Sequence, residues 1–190
     1  MGVITLPVAV GNGTAQAKVN GLSGLYTSVS DFQQMKLTYP IDSKNATGKI
    51  KPNDLFGSST GYVEYNGKSY AFDKRKTYGY RSDDNKNYRF YHNAIYQIID
   101  TAGFYMYYQY RSVEQTKGKG LVKVDLYFFS KKADGEILLL TTDNLKDAFP
   151  DNTNFHYALD SNFPSDKGLL AYDKYLKTYK VKYLYNQSLK

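Results

Sequence analysis

The clearest pattern along the chain is alternation. From Leu121 to Ser130, Val122, Val124, Leu126 and Phe128 fall on one side, while Lys123, Asp125, Tyr127 and Phe129 fall on the other. That is the period of a half-buried strand. Upstream, Tyr88–Tyr110 holds seven tyrosines and two phenylalanines among short aliphatic runs. Two extended segments, Ala94–Asp100 and Phe104–Tyr110, flank Thr101-Ala102-Gly103, which reads as a hairpin. In the second segment Phe104, Met106, Tyr108 and Tyr110 share one face, and Tyr105, Tyr107 and Gln109 the other. Aromatic residues on both faces predict a central strand with one face packed and the other covered or presented.

More hairpins surround this one. Gly24–Ser28 reads as a first strand, followed by a helical turn capped at Ser30 with Gln33 three residues on. Lys36–Tyr39 is extended and stops before Pro40. Residues 42–59 read as a long polar loop. Tyr62–Tyr65 and Lys68–Asp73 are joined by Asn66-Gly67, the strongest short hairpin signal. Thr77–Arg81 and Tyr88–Tyr91 are joined by a polar loop, Ser82–Lys86. Thr116–Gly120 is a basic loop. Glu136–Leu140, with four consecutive aliphatics, predicts a strand buried on both faces.

After Leu140 the period changes. Thr141–Asn144 offers caps for a helix over 143–149 that Pro150 halts. A second helical stretch covers Thr153–Asn162. From Pro164-Ser165-Asp166 onward, Leu169, Tyr172, Leu176, Tyr179 and Tyr183 recur at spacings of three and four, one helical stripe. Tyr179–Tyr183 also alternates like a strand. The predicted fold class is α+β: a predominantly antiparallel β meander over 24–140, a curved sheet or partial barrel, with C-terminal helices over 143–185 packed on it. Residues 1–20 read as a leader or flexible arm, and 21–190 as one domain.

Composition narrows the chemistry. Among 190 residues there are 21 tyrosines and no tryptophan, consistent with many half-buried rings whose hydroxyls stay wet. The net charge of +7 is spread along the chain, so it carries no tail-like interaction signal. No apolar run approaches the ~20 residues of a membrane-spanning helix. Zero cysteines remove disulfides, thiolate metal sites and cysteine nucleophiles together. His92 and His156 lie in different segments without metal-ligand spacing.

No catalytic motif emerges. Gly61–Ser69 has the wrong spacing for a phosphate loop, and Asn66-Gly67 belongs to a hairpin turn. Gly11-Asn12-Gly13 lacks the third glycine of a dinucleotide fingerprint. No nucleophile elbow of the G-x-S-x-G type exists. The expectation is therefore no catalytic residue, no metal and no cofactor, although a glycosidase carboxylate pair is unreadable from sequence. Asn12, Asn45 and Asn186 fit the glycosylation sequon.

Lys74-Arg75-Lys76, Arg81 and Arg89 are interleaved with Tyr70, Tyr78, Tyr80, Tyr88 and Tyr91. A single-stranded nucleic-acid binder uses such a mixture, with rings stacking bases and cations tracking phosphates. The same mixture also arises where Lys and Arg stems cover solvent faces beside tyrosines. Alternation puts Tyr78 and Tyr80 on one face and sets Tyr91 with Arg89 opposite Tyr88 and Phe90. The candidate binding residues are Tyr78, Tyr80, Arg81, Arg89, Tyr91 and His92, with Arg81 and His92 toward the rims and a C-terminal helix as the competing cover.

The chain also resembles a group of uncharacterised exported proteins of Gram-negative bacteria from about Leu22 onward. The resemblance rests on Gly24-Leu25-Tyr26 with Ser30-Asp31-Phe32, Tyr78-Gly79-Tyr80-Arg81, Tyr88–Tyr91, Tyr127–Ser130 and Leu145–Asn152. It implies a periplasmic, cell-surface or secreted location and transfers no functional residue. The N-terminus departs from the pattern, with neither a basic start nor a long apolar core. The reading is an exported, non-catalytic binding or surface-assembly module for a glycan, peptide or protein partner. Its alternatives are a single-stranded nucleic-acid binder and a glycoside hydrolase.

Overall fold

Ser28 starts the first helix two residues before the cap predicted from sequence. Its hydroxyl accepts from the Asp31 amide while the Asp31 carboxylate accepts from the Ser28 amide, a reciprocal cap worth about 1 kcal/mol. The cap stops strand β1 (Leu22–Tyr26) and launches helix α1 (Val29–Gln33), which buries Phe32. This computed structural model describes residues 21–42, 44, 48–53, 57–114 and 120–190. The leader or arm over 1–20, the Asn12 and Asn45 sequons and most of the basic loop 116–120 lie outside the described residues. The chain divides into two compact units, Met1–Ile95 and Tyr96–Lys190.

In the first unit β1 pairs antiparallel with β2 (Thr38–Asp42) and with β6 (Gly79–Arg81), which pairs with β7 (Asn87–Tyr91). The strand β2 runs through Pro40 instead of ending before it. As the last strand in the order it tolerates a residue with no amide donor. Within the predicted loop 42–59 lies β3 (Gly48–Lys51), joined to β4 (Thr60–Tyr65) and β5 (Lys68–Asp73) in a second, three-stranded sheet. Asn66 and Gly67 have φ of 50° and 75°, the doubly left-handed turn that a two-residue hairpin needs. The unit's core is Leu25, Ile41 and Val63, with Tyr39, Ile50, Tyr65, Phe72 and Tyr80 packed on it.

β8 (Ala94–Asp100), whose first two residues end the first unit, is followed in the second by β9 (Tyr105–Glu114), β10 (Leu121–Ser130) and β11 (Leu138–Leu139), neighbours in sequence order and antiparallel. The strand β10 has the predicted bounds. The strand β11 is only two residues long and sits at an edge, with Leu139 44 % exposed, so the aliphatic run is not buried on both faces. Helices α2 (Thr142–Ala148) and α3 (Thr153–Asn162) follow, capped by the side chains of Thr141 and Asn152. The predicted helix over 166–185 does not form as one piece. A 3₁₀ turn (Asp166–Leu170) leads to a small hairpin of β12 (Tyr172–Asp173) and β13 (Thr178–Tyr179), and then helix α4 (Lys180–Ser188). The Asp173 carboxylate accepts from the amides of Tyr175 and Leu176, and Lys177 takes a φ of 51°. This turn chemistry outcompetes the helical stripe.

The helices bury Leu145, Phe155, Leu159, Phe163, Leu169 and Val181 against Phe104, Met106 and Phe129 of the sheet, each such side chain contributing about 1.5–3 kcal/mol. Lys182, fully buried on α4, donates to the carbonyls of Ala102 and Phe104 and pairs with Asp100 at 3.1 Å. Its ammonium also lies over the Phe104 ring at 4.2 Å. One side chain thus pins the helix to the β8–β9 turn. Neither set of strands closes on itself, so the fold is α+β: open antiparallel sheet followed by C-terminal helices.

Candidate functional site

The strands β6 and β7 distribute the six candidate residues over two faces and a turn. Tyr80 stacks on Tyr88 at 4.7 Å and on Phe90 at 5.6 Å, as alternation predicts for that face. Tyr78 does not share it. It precedes the strand, stacks on Phe32 at 5.0 Å, and holds Arg89 over its ring at 5.8 Å. Alternation fails there because the pleat begins at Gly79. A Cβ on Gly79 would sit 1.9 Å from the Tyr88 carbonyl oxygen, so only glycine admits this approach of β7.

The other face carries the cations, and it is buried. The Arg89 guanidinium lies 5.3 Å from the Tyr91 ring, and Arg89 is 4 % exposed. Arg81 is 1 % exposed, not at a rim as expected. Its Nη1 donates to Asn87 Oδ1 at 3.3 Å and its Nη2 to Asn85 Oδ1 at 3.0 Å, while Nε finds no partner. Tyr26 donates its hydroxyl to the same Asn87 oxygen at 2.9 Å. Burial pushes the Tyr26 phenol up to about 12, against the pull of Arg81 beside it. The Arg81 guanidinium thus donates to side-chain amide oxygens. The arrangement fixes α1 and the loop 82–86 on the sheet and leaves neither guanidinium free to meet a phosphate in solvent.

His92 sits exposed at the turn after β7, stacked on Tyr91 at 4.1 Å. With Asn93 it takes left-handed backbone, φ 48° and 65°, the conformation of a tight hairpin turn. Among the described residues, no group of three or more His, Cys, Asp or Glu could hold a metal ion. Tyr80 lines a 330 Å³ pocket shared with Ser23, Ile41, Asp42, Lys49, Ile50 and Asp83.

A longer aromatic surface lies in the second unit. On the face of β9 and β10 that the helices cover at one end, Tyr108 stands directly opposite Tyr127 with ring centroids 5.4 Å apart. Two residues further along, Tyr110 is 58 % exposed, with the Lys123 ammonium 5.6 Å from its ring. The Tyr108 hydroxyl donates to Asp125 at 2.7 Å, and that bond carries its phenol up to about 12. At the covered end, burial raises the Tyr179 phenol, helped by Asp100, Tyr127 and Tyr172. Tyr172 meets Tyr179 edge-on at 5.1 Å and opens a 380 Å³ groove lined by Leu176, Lys180, Tyr183 and Asp173.

Tyr110, Tyr108, Tyr127, Tyr179 and Tyr172 therefore form a row from open sheet to groove. Alternation placed Tyr108 and Tyr110 on one face. The contribution of Tyr172 and Tyr179 was hidden by the helical stripe that the small hairpin replaces. No protein-family model, no curated protein and no solved structure matches the chain.

Proposed function

We propose that the chain is an exported, non-catalytic binding module that holds an extended glycan on the tyrosine row of its second unit. The observation carrying this reading is the row itself, which runs on along the sheet past the last ring the helices cover and ends in a groove. A row of rings tilted against one another offers faces and edges to the C–H faces of successive sugar rings, because tyrosine gives area at low entropy cost and a hydroxyl at its edge. Asp125, Asp100 and Asp173 supply acceptors for sugar hydroxyls, and Lys123 and Lys180 supply donors. This near-balance of charge argues against a phosphate backbone, which would meet three carboxylates along its path. The burial of Arg81 and Arg89 removes the other basic-aromatic surface from that competition. Export rests on the resemblance to exported proteins.

A glycan array read beside oligonucleotide binding at low and high salt tests the reading. Glycan capture that persists at high salt, and weakens about 3–10-fold in Tyr110→Ala or Tyr172→Ala, supports it. Oligonucleotide capture that collapses with salt would replace it with the nucleic-acid reading. Release of reducing ends from a bound glycan would replace it with the hydrolase reading, and silence in every assay with protein assembly.

A further inference from the structure

We propose that strand β5 of the first unit is a docking edge for a second copy of the chain, the two β5 strands pairing antiparallel about a two-fold axis. This edge shares no residue with the tyrosine row of the second unit. A sheet edge presents unpaired main-chain groups, and proteins blunt the edges they do not use with proline, irregular pairing, short strands or lysines. The other edge strands among the described residues carry such devices. The strand β2 contains Pro40 and pairs with β1 in an irregular register. The strands β11, β12 and β13 are two residues long, and β3 exposes Lys49 and Lys51. The strand β5 instead runs six residues in unbroken register with β4 and without proline, its one lysine standing first, beside the turn.

The turn sets the direction of the main-chain groups. A two-residue hairpin makes Tyr65 and Lys68 a hydrogen-bonded pair, so Lys68, Tyr70 and Phe72 bond toward β4 while the groups of Ser69 and Ala71 point away. The next residue in the inward series, Lys74, donates its amide to the Ser59 carbonyl at 2.8 Å, in the same phase. Ser69 and Ala71 are exposed, and no described residue bonds their outward groups. The inner face holds the strand in place. Tyr70 stacks on Tyr39 at 4.9 Å, and Phe72 lies 5.6 Å from Phe90. Phe72 also covers Gly61, where a Cβ would meet its ring at 2.3 Å. The edge is therefore preorganised for a partner strand.

Register identifies that partner. Pairing must set outward residues opposite one another, and one such register suits β5 against itself. With Tyr70 on the two-fold axis, Ser69 of each copy exchanges both amide–carbonyl bonds with Ala71 of the other. The two Tyr70 residues then form a non-hydrogen-bonded pair, where side chains stand closest, and each Lys68 faces a Phe72. Sliding by two residues one way sets Lys68 against Lys74. Sliding the other way draws Gly67, with a φ of 75°, into the ladder. The centred register avoids both. It is isologous, so it closes at two copies and uses up the open edge. Such self-complementarity is not needed to receive an unrelated peptide, and it points to a second copy.

Sedimentation equilibrium of the full chain, from micromolar to near-millimolar concentration, reads the association. An interface this short predicts a weak, reversible monomer–dimer equilibrium. Ser69→Lys combined with Ala71→Lys sets like charges opposite each other across the axis and should weaken the dimer about tenfold or more. Ser69→Lys combined with Ala71→Glu sets opposite charges there and should tighten it about threefold or more. Ala71→Pro removes an outward donor that takes no part in the β4 ladder and should abolish dimerisation. A thermal melt matching wild type shows that each variant is folded, and if Ala71→Pro melts early the two charged variants carry the test. A mass of 21.7 kDa at every concentration, equal association of the two charged variants, or growth beyond a dimer would overturn the assignment.

Discussion

Replacing Lys182 by methionine isolates the contact that ties the last helix to the β8–β9 turn. Methionine keeps the stem length and apolar packing. It removes the donor to the Ala102 and Phe104 carbonyls and the partner of Asp100. Orphaned buried acceptors and a broken buried pair together predict a loss of about 2–4 kcal/mol near neutral pH. The pH dependence is more diagnostic. Burial, only partly offset by Asp100, lowers the Lys182 ammonium from the ordinary 10.5 to about 8. Between those values the unfolded chain binds the proton and the folded chain does not, so stability rises with pH across that window. The full rise is about 3 kcal/mol, at 1.36 kcal/mol for each pH unit between the two values, and about 2 kcal/mol of it is realised by about pH 9.5. Urea denaturation of wild type and Lys182→Met in steps from about pH 7 to about pH 9.5 measures the difference. The gap between the two proteins should widen steadily with pH. A gap that stays flat to within about 0.5 kcal/mol, or a variant as stable as wild type, would refute the description of Lys182 as a buried, costly charge.

Three further outcomes follow from single contacts. Gly79→Ala drives a methyl into the Tyr88 carbonyl and should cost at least about 2 kcal/mol by thermal melt; a neutral result would mean β6 and β7 do not approach as described. Ser28→Ala removes one half of the reciprocal cap and should cost about 1 kcal/mol, with faster amide exchange confined to α1. Asp125→Asn removes the carboxylate that holds the Tyr108 proton, so the Tyr108 phenol should titrate lower than in wild type, read by NMR of labelled tyrosine rings.

Much of the fold was legible because its turns are written in local chemistry. Asn66-Gly67 can close a two-residue turn in few other ways, and the polarity of β10 alternates along its whole length. The boundaries of α3 were legible because Asn152 and Pro164 bracket it. What failed did so for identifiable reasons. The segment 166–185 satisfies the helical period, yet Asp173 satisfies two amides outside a helix, and that local competition is invisible to periodicity. The strand β3 is too short and too polar to register on its own, and its pairing with β4 is what orders it.

The candidate site divided along the same line. Residue type brings Tyr78, Tyr80, Arg81, Arg89, Tyr91 and His92 together as aromatic and cationic side chains. Sequence could not say that the arginines are turned inward, because the oxygens that receive Arg81 come from Asn85, in a loop that reads as polar surface, and from Asn87 at the start of β7. Nor could it place Tyr172 beside Tyr179, since their contact exists only once the stripe is broken into a hairpin.

The central claim is that the tyrosine row of the second unit binds a neutral, extended glycan. It is tested most directly by titrating the strongest glycan from the array calorimetrically into wild type and Tyr110→Ala, each at low and high salt. The account predicts that wild-type affinity barely changes with salt and that the loss of one exposed ring weakens it about 3–10-fold at both salts. Affinity that falls steeply with salt, or that is the same with and without the Tyr110 ring, would contradict it.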